Sequence, residues 1–457
     1  MRSNQSEREN MMLYQPISKV IPKMAIPTIF AFLITSIYNL ADTYFVSALG
    51  TNATAAVSVN AAIDQIIMMA GSMLAVGANS YIARLLGAKK KELAEQVLAT
   101  AFFLALGIGA VFMICGTIFL DPLVQLLGAT PTSKRYAVDY ATYVLLAAPF
   151  MAANFVMNQC LRSEGSAVLS MVGMGFGGVL NCFLDPIFIF GLNLGVAGAS
   201  MATAISKFVS FVILIFPYIS RRSMLRLSVK GFKPSSEILC EVVKVGLPST
   251  LRNAFAVISG ILLNNIAGGI SDAVLAGIGV SSKIMMFPFS IVLGFGTGFQ
   301  PVAGFNWGAK RYDRVADSYY FSTKVALLGS GLMALALGVF APQVIALFAE
   351  SDVAVREIGI FCVRLQCIAL PVHAWVAVVN MLCSGLGQAR KAFLLATARQ
   401  GSCFLPVLYP MAYLFGAYGV ASVQAVADML TLLLAVPVSA SVLKQVREGM
   451  RMEGEIN

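Results

Sequence analysis

Ionisable side chains are scarce in this sequence. Asp, Glu, Lys and Arg make up 12% of its 457 residues, roughly half the share that a soluble protein carries. Histidine occurs once, at His373, and tryptophan twice. There is no Gly-x-x-x-x-Gly-Lys-Ser/Thr phosphate loop, no His-Glu-x-x-His helix and no nucleophile elbow. Without a nucleotide motif, any transport has to draw on an ion gradient. With one histidine and no metal spacing, an enzyme is not expected. The eight cysteines lie mostly inside apolar runs, as small packing residues and not as a disulfide framework. Long polar connections are missing too. The longest runs over about 220–237, so no separate soluble domain is expected. The polar N-terminal segment and the length of the first apolar run argue against a cleavable signal.

What fills the chain instead is apolar. Hydrophobic residues make up 58% of it and its mean hydropathy is +0.81. Runs of about 20 residues or more, each long enough to cross a bilayer as a helix, recur from end to end. This predicts an all-α integral membrane protein with twelve transmembrane helices, at about 20–48, 54–83, 93–119, 136–160, 166–190, 194–219, 238–269, 272–303, 315–346, 356–383, 392–415 and 417–443. Of the 32 basic residues, 23 fall in the termini and in loops on one side, among them Lys89–Lys91, Arg162 and Lys310–Arg314. The other side holds Lys134, Arg135 and Arg356. The positive-inside rule then places both termini of a multi-pass protein in the cytoplasm. The net charge of +10 is thus a mark of topology, facing anionic lipid headgroups; nucleic acid is not an expected partner.

The two halves repeat. Leu85–Glu95 (LLGAKKKELAE) resembles Asn306–Ala316 (NWGAKRYDRVA), Pro149 pairs with Pro371, Pro186 with Pro410, and GVAGASMA from Gly195 with GVASVQA from Gly419. Six spans per half give both halves the same orientation. The expected architecture is a parallel repeat: a lobe at 1–219, a cytoplasmic linker at 220–237, a second lobe at 238–457, and a cavity between two pseudo-symmetric six-helix bundles. Duplicated bundles of this kind are mostly transporters, and one chain suffices to close the cavity, so a functional monomer is expected.

Within this scarcity of charge, acids inside apolar runs stand out, since a charge in a bilayer is costly and marks a functional candidate. Asp42 lies about 9 Å and Asp185 about 8 Å below the outer ends of spans 1 and 5, and Asp64 about 15 Å down span 2, from the ~1.5 Å rise per residue. Tyr38 and Asn181 each stand four residues before an acid, on the same helix face. Thr203, about 13 Å down span 6, completes a ring of carboxylate, amide and hydroxyl oxygens. Such oxygens suit a hard alkali cation, with Na+ at Asp42, Asp185 and Asn181, and the same carboxylates suit proton uptake. The alignment puts Gly268 opposite Asp42 and Tyr409 opposite Asp185, so the second half has lost both acids. Each candidate also has a plain structural reading. Asp185 precedes Pro186 and would cap a loop, and Asp64 would pair with a polar neighbour; Asp428, the one mid-span acid of the second half, is balanced between a structural role and a part in coupling. His373 would pack in the core or line a cavity, and Lys283 and Arg364 would face protein or cavity. Pro27, in the helix of Asp42, is a candidate bending point. Met285, Met286, Phe287 and Phe289 are candidates for an adaptable apolar wall.

The segments ADTYFVSALG, RLLGAKK, LRSEGSAVLSM and NCFLDPIFIFGLNLGVAGASMAT resemble the MATE (multidrug and toxic compound extrusion) family over essentially the whole chain. The similarity is greatest to its bacterial DinF-like branch and the neighbouring multidrug-efflux proteins. The resemblance implies twelve helices in two lobes, alternating access, and export of amphipathic, often cationic drug-like compounds in exchange for protons or sodium, with no other cofactor. It implies a first-lobe cation site at Tyr38, Asp42, Asn181, Asp185 and Thr203, with Tyr140 and Asn158 as further members. Another branch carries acids in spans 7 and 10, where this chain has Ala256 and His373. The competing expectation is a lipid or lipid-linked oligosaccharide flippase of the same superfamily, disfavoured by the few basic residues inside the spans.

Overall fold

The computed structural model describes residues 2–348 and 352–456. Among these residues there is no strand. Fifteen helices follow in order: α1 (Arg2–Tyr14), α2 (Ile17–Ser47), α3 (Thr51–Gly87), α4 (Lys91–Ile118), α5 (Leu120–Leu126), α6 (Lys134–Ser163), α7 (Ala167–Pro186), α8 (Gly195–Ile219), α9 (Ser236–Ile270), α10 (Asp272–Gly308), α11 (Tyr312–Val339), α12 (Ala341–Ala346), α13 (Val353–Gly385), α14 (Ala389–Thr397) and α15 (Phe404–Ile456). π-helical turns at Ile187–Gly191 and Ala398–Ser402 extend α7 and join α14 to α15.

Eleven helical stretches among the described residues are long and apolar enough to cross a bilayer. The last, Ala389–Met452, is 64 residues long, far beyond the roughly 20 that one crossing needs. It is two spans. Gly416 leaves the helix at φ 54° and ψ −129°, a left-handed backbone that favours glycine. The chain then doubles back, so that a Cβ on Gly419 would strike the carbonyl of Met411. With that break the expected twelve spans are present. The expected ninth span is shortened: α11 ends at Val339 and α12 is a separate short helix. The short helix α5 follows α4 in the same way, so this interruption is part of the repeat.

The two lobes meet unevenly. On the side of the termini, one apolar core runs through both and includes Met12, Ile21, Leu98, Met157, Phe299 and Leu382. On the opposite side each lobe has its own core, around Val46, Tyr140 and Ile189 in the first and around Met285 and Val363 in the second. Glycine permits the close contact on the terminal side. A Cβ on Gly77 of α3 would strike the carbonyl of Val242 in α9, and one on Gly246 of α9 that of Met73 in α3. Gly87 abuts the Phe305 carbonyl and Gly308 the Arg84 carbonyl. Gly308 lies 221 residues after Gly87, and Phe305 lies 221 after Arg84. These are one contact seen from either lobe, as an axis along the membrane normal requires. Arg84 also pairs with Glu241 across the lobes at 3.1 Å.

The polar N-terminal segment contributes more than its composition indicates. It forms α1, whose Met11, Met12 and Leu13 are buried. Arg314 donates to the carbonyls of Met12 and Gln15, at 3.2 and 2.8 Å, and Asn306 to that of Met12. The linker is held as well. Glu164, in the turn after α6, accepts hydrogen bonds from the Ser223 hydroxyl and, at 2.7 Å, from the Met224 amide. Burial pushes the Glu164 carboxyl up to about 7, against the pull of those hydrogen bonds and of nearby Arg8.

Candidate functional site

Spans 1, 2, 4, 5 and 6 of the first lobe bring the expected residues to one place on the side away from the termini. Asp42 lies on α2, Asp64 on α3, Tyr140 on α6, Asn181 and Asp185 on α7, and Thr203 on α8. The Asn181 amide donates to Asp185 Oδ1 and to Thr203 Oγ1, both at 3.2 Å. Asn181 thereby ties spans 5 and 6 together and fixes which way the Asp185 carboxylate faces. Asp42 lies within electrostatic reach of both Asp64 and Asp185, and Tyr140 within reach of all three. Asp64 stands 13 residues into α3, about 20 Å along it, deeper than expected because the helix starts at Thr51.

Lys207 was missing from the expected set. Its Nζ donates to the Tyr38 hydroxyl at 2.9 Å and sits 4.8 Å from the centre of that ring. Asp42 and Asp64 both feel its charge. A signal for it was available: Lys207 lies four residues after Thr203 in an apolar span, on the same helix face. Asn158 does not join the group. It is 18 residues beyond Tyr140 on α6, about 27 Å away along the helix. There it accepts from Arg162 and donates to the Ser170 carbonyl at 3.1 Å.

Four buried oxygens in the group have no hydrogen-bond partner: Asp42 Oδ1, Asp64 Oδ1, Asn181 Oδ1 and Asp185 Oδ2. Buried polar atoms are normally satisfied, so four unpartnered acceptors in one place fit a proton or a hard cation as their complement. No three His, Cys, Asp or Glu side chains converge as a metal centre among the described residues. A cation held here would take its oxygens from carboxylate, amide and hydroxyl groups together.

The second lobe has a different site. A cavity of about 560 Å³ is lined by Lys283, Phe289, Gln366, Arg399, Gln400 and Gln424, among others. Asp428 is held by Arg399, with Nε to Oδ1 at 2.7 Å, and by Gln424 at 3.3 Å. Met286 lines the cavity, whereas Met285 is fully buried in the lobe core. The His373 ring packs edge-on to Phe289, with centroids 5.2 Å apart. Arg364 donates to the Gly338 carbonyl at 3.3 Å. The pairing of Asp42 with Gly268 needs correction. Pro27 and Pro248 are 221 residues apart, and α2 and α9 continue unbroken beyond them. Carried along the helices, that offset puts Leu263, a cavity-lining residue, opposite Asp42. Tyr409, opposite Asp185, is exposed.

The MatE family model matches residues 27–187 and 248–414. The multidrug export protein MepA of Staphylococcus aureus (strain N315) is 28% identical over 425 residues, covering 92% of this chain and 93% of its own. Among solved structures, a MATE in complex with MaL6 is 27% identical with a TM-score of 0.91, over 96% of this chain and 99% of that one. The outward-facing conformation of a multidrug resistance MATE family transporter of the MOP superfamily is 27% identical with a TM-score of 0.90, over 96% and 98%.

Proposed function

Because this chain belongs to the MatE family, we propose that it is a multidrug efflux antiporter that exchanges amphipathic drug-like compounds for protons or sodium ions. The observation that carries the coupling is the group of unpartnered oxygens on Asp42, Asp64, Asn181 and Asp185 in the first lobe. Entry of a cation or proton there gives a partner to some of those oxygens and weakens the repulsion between neighbouring carboxylates. The gain depends on the arrangement of α2, α3, α7 and α8, so the ion favours one conformation over the other, which is what coupling requires. Pro27 deprives α2 of one backbone hydrogen bond between this group and the closed terminal side. It is the natural place for α2 to bend when the carboxylates change charge.

The closed side carries the termini and the basic loops, so the molecule faces outward if these lie in the cytoplasm of a bacterial cell. A single chain supplies both lobes and works as a monomer. The first-lobe acids also suit the DinF-like branch. The flippase reading has nothing specific in its favour, since the basic residues of the spans are few and lie largely in the second lobe. Uptake of ethidium into proteoliposomes under a pH gradient alone, and then under a sodium gradient alone, tests the proposal. Uptake driven by one gradient names the ion. Absence of uptake under both refutes antiport.

A further inference from the structure

The second-lobe cavity has the opposite polarity to the first-lobe site. Arg252 and Arg399 lie within electrostatic reach of each other and of His373, and Lys283 lines the cavity itself. Asp428 is the acid set against them, and it is taken by Arg399. Lys283 makes no ion pair or hydrogen bond among the described residues, and it is exposed to the cavity. A lysine in a membrane span with no partner is costly unless it has a polar surface or a ligand to face.

The surroundings are those of a recognition site. The π turn at Ala398–Ser402 breaks the regular helix where Arg399 and Gln400 face the cavity, and such turns are frequent at functional sites. The side-chain amides of Gln366, Gln400 and Gln424 each use one N–H internally, on Cys362, Gln424 and Asp428. Each retains a second N–H. Arg399 stacks 4.6 Å over the Phe289 ring, and apolar side chains make up much of the remaining wall. A volume of about 560 Å³ is that of a drug-sized site.

We propose that this cavity binds the acidic end of an amphipathic organic molecule, a carboxylate on an apolar body, with Lys283 as its counter-charge and the glutamine amides as donors. The proposal deepens the export reading and rests on it for the direction of movement, but the binding itself needs no ion gradient. For cargo that carries an acidic end, the second lobe then holds that end while the first lobe handles the coupling ion.

The test is binding by the full-length protein in phosphatidylcholine nanodiscs. The probes are a dansyl-labelled undecanoic acid and its methyl ester, read by dansyl fluorescence after subtraction of empty discs. The acid is expected to bind about tenfold more tightly than the ester, the scale of one charge-assisted hydrogen-bonded pair. Lys283→Gln should erase that difference and leave ester binding unchanged. Lys283→Glu should turn the preference toward a dansyl-labelled alkylamine. Equal binding of acid and ester by the wild type would overturn the proposal, as would an acid preference that survives Lys283→Gln. An anionic lipid headgroup offers the same chemistry, so discs of phosphatidylglycerol identify the source: displacement of the probe assigns the site to lipid, and undiminished binding to an exported acid. Asp42→Asn should bind the acid as the wild type does. If that variant still exports drug, the coupling reading fails and the anion site stands. If Lys283→Gln keeps the acid preference, the anion site fails and the coupling reading stands.

Discussion

The two lobes share a fold and differ in the sign of the charges that each gathers. The first gathers Asp42, Asp64 and Asp185 with Lys207; the second gathers Arg252, Lys283 and Arg399 with Asp428. Gly195 and Gly416, each at positive φ where the last span of its lobe begins, are 221 residues apart, so in this span the pairing of Gly195 with Gly419 is three residues out. Lys207 and Asp428 are also 221 apart, so the opposite charge of each cluster occupies the same place in the repeat. The lobes also differ in how these charges are satisfied. Asp428 has an arginine and a glutamine on it, whereas each first-lobe acid has an oxygen without a partner. Duplication preserved the helices and their packing. Which buried charges remain free was then set by a few side chains, separately in each lobe.

The largest expected effect separates a free acid from a satisfied one. Asp42→Asn and Asp185→Asn should each abolish ethidium extrusion from cells that make normal amounts of the protein in the membrane. Extrusion at the wild-type rate by either variant would remove that acid from the coupling site. Neither variant should lower the Tm of the purified protein, because each removes a carboxylate with an unpartnered oxygen. Asp428→Asn should behave in the opposite way. It leaves Arg399 without its counter-charge in a buried place, at a cost of about 3 kcal/mol, so its Tm should fall well below that of the wild type. A normal Tm for Asp428→Asn would mean that the two lobes do not differ as described.

A smaller effect is expected at Lys207, which holds Tyr38 beside the acids. Lys207→Met should slow export about tenfold without abolishing it, the loss of one charge-assisted hydrogen bond at the site. Tyr38→Phe removes the same bond from the other end, and the double variant should be no slower than Lys207→Met alone. Additive losses would show that the two side chains act separately.

Much of this contrast is legible in the sequence. Span number follows from apolar length, and the repeat from segments such as Leu85–Glu95. The first-lobe acids follow from the cost of charge in a bilayer. The i, i+4 rule placed Asn181 with Asp185, and the structure adds the hydrogen bond and its second acceptor, Thr203. Applied once more, from Thr203, the rule would have found Lys207. Other features depend on contacts between distant segments, which local spacing does not carry. The pairing of Arg399 with Asp428 crosses a hairpin that only the backbone of Gly416 creates. Asn158 fits the family pattern by residue type, yet its position on α6 sets it far from Asp185. The helix α1 has little apolar length of its own, and its Met12 is buried between Gly165 of the first lobe and α10 and α11 of the other, whose Asn306 and Arg314 bond its carbonyl.

The smallest expected effect lies outside both sites, where the first lobe holds the linker. Glu164 is fully buried, and its carboxyl is pushed up to about 7 from an ordinary value of 4.5. A group whose folded value is raised binds protons more readily in the folded state, so its contribution is most favourable at low pH and is lost as pH rises through about 7. Glu164→Gln keeps a carbonyl oxygen for the Ser223 hydroxyl and the Met224 amide but carries no charge. Its Tm should match that of the wild type near pH 5 and exceed it modestly near pH 8. A variant less stable than the wild type at pH 8 would show that the ionised carboxylate, and not the neutral acid, holds the linker to the turn after α6. The charge contrast between the lobes would then extend to the segment that joins them.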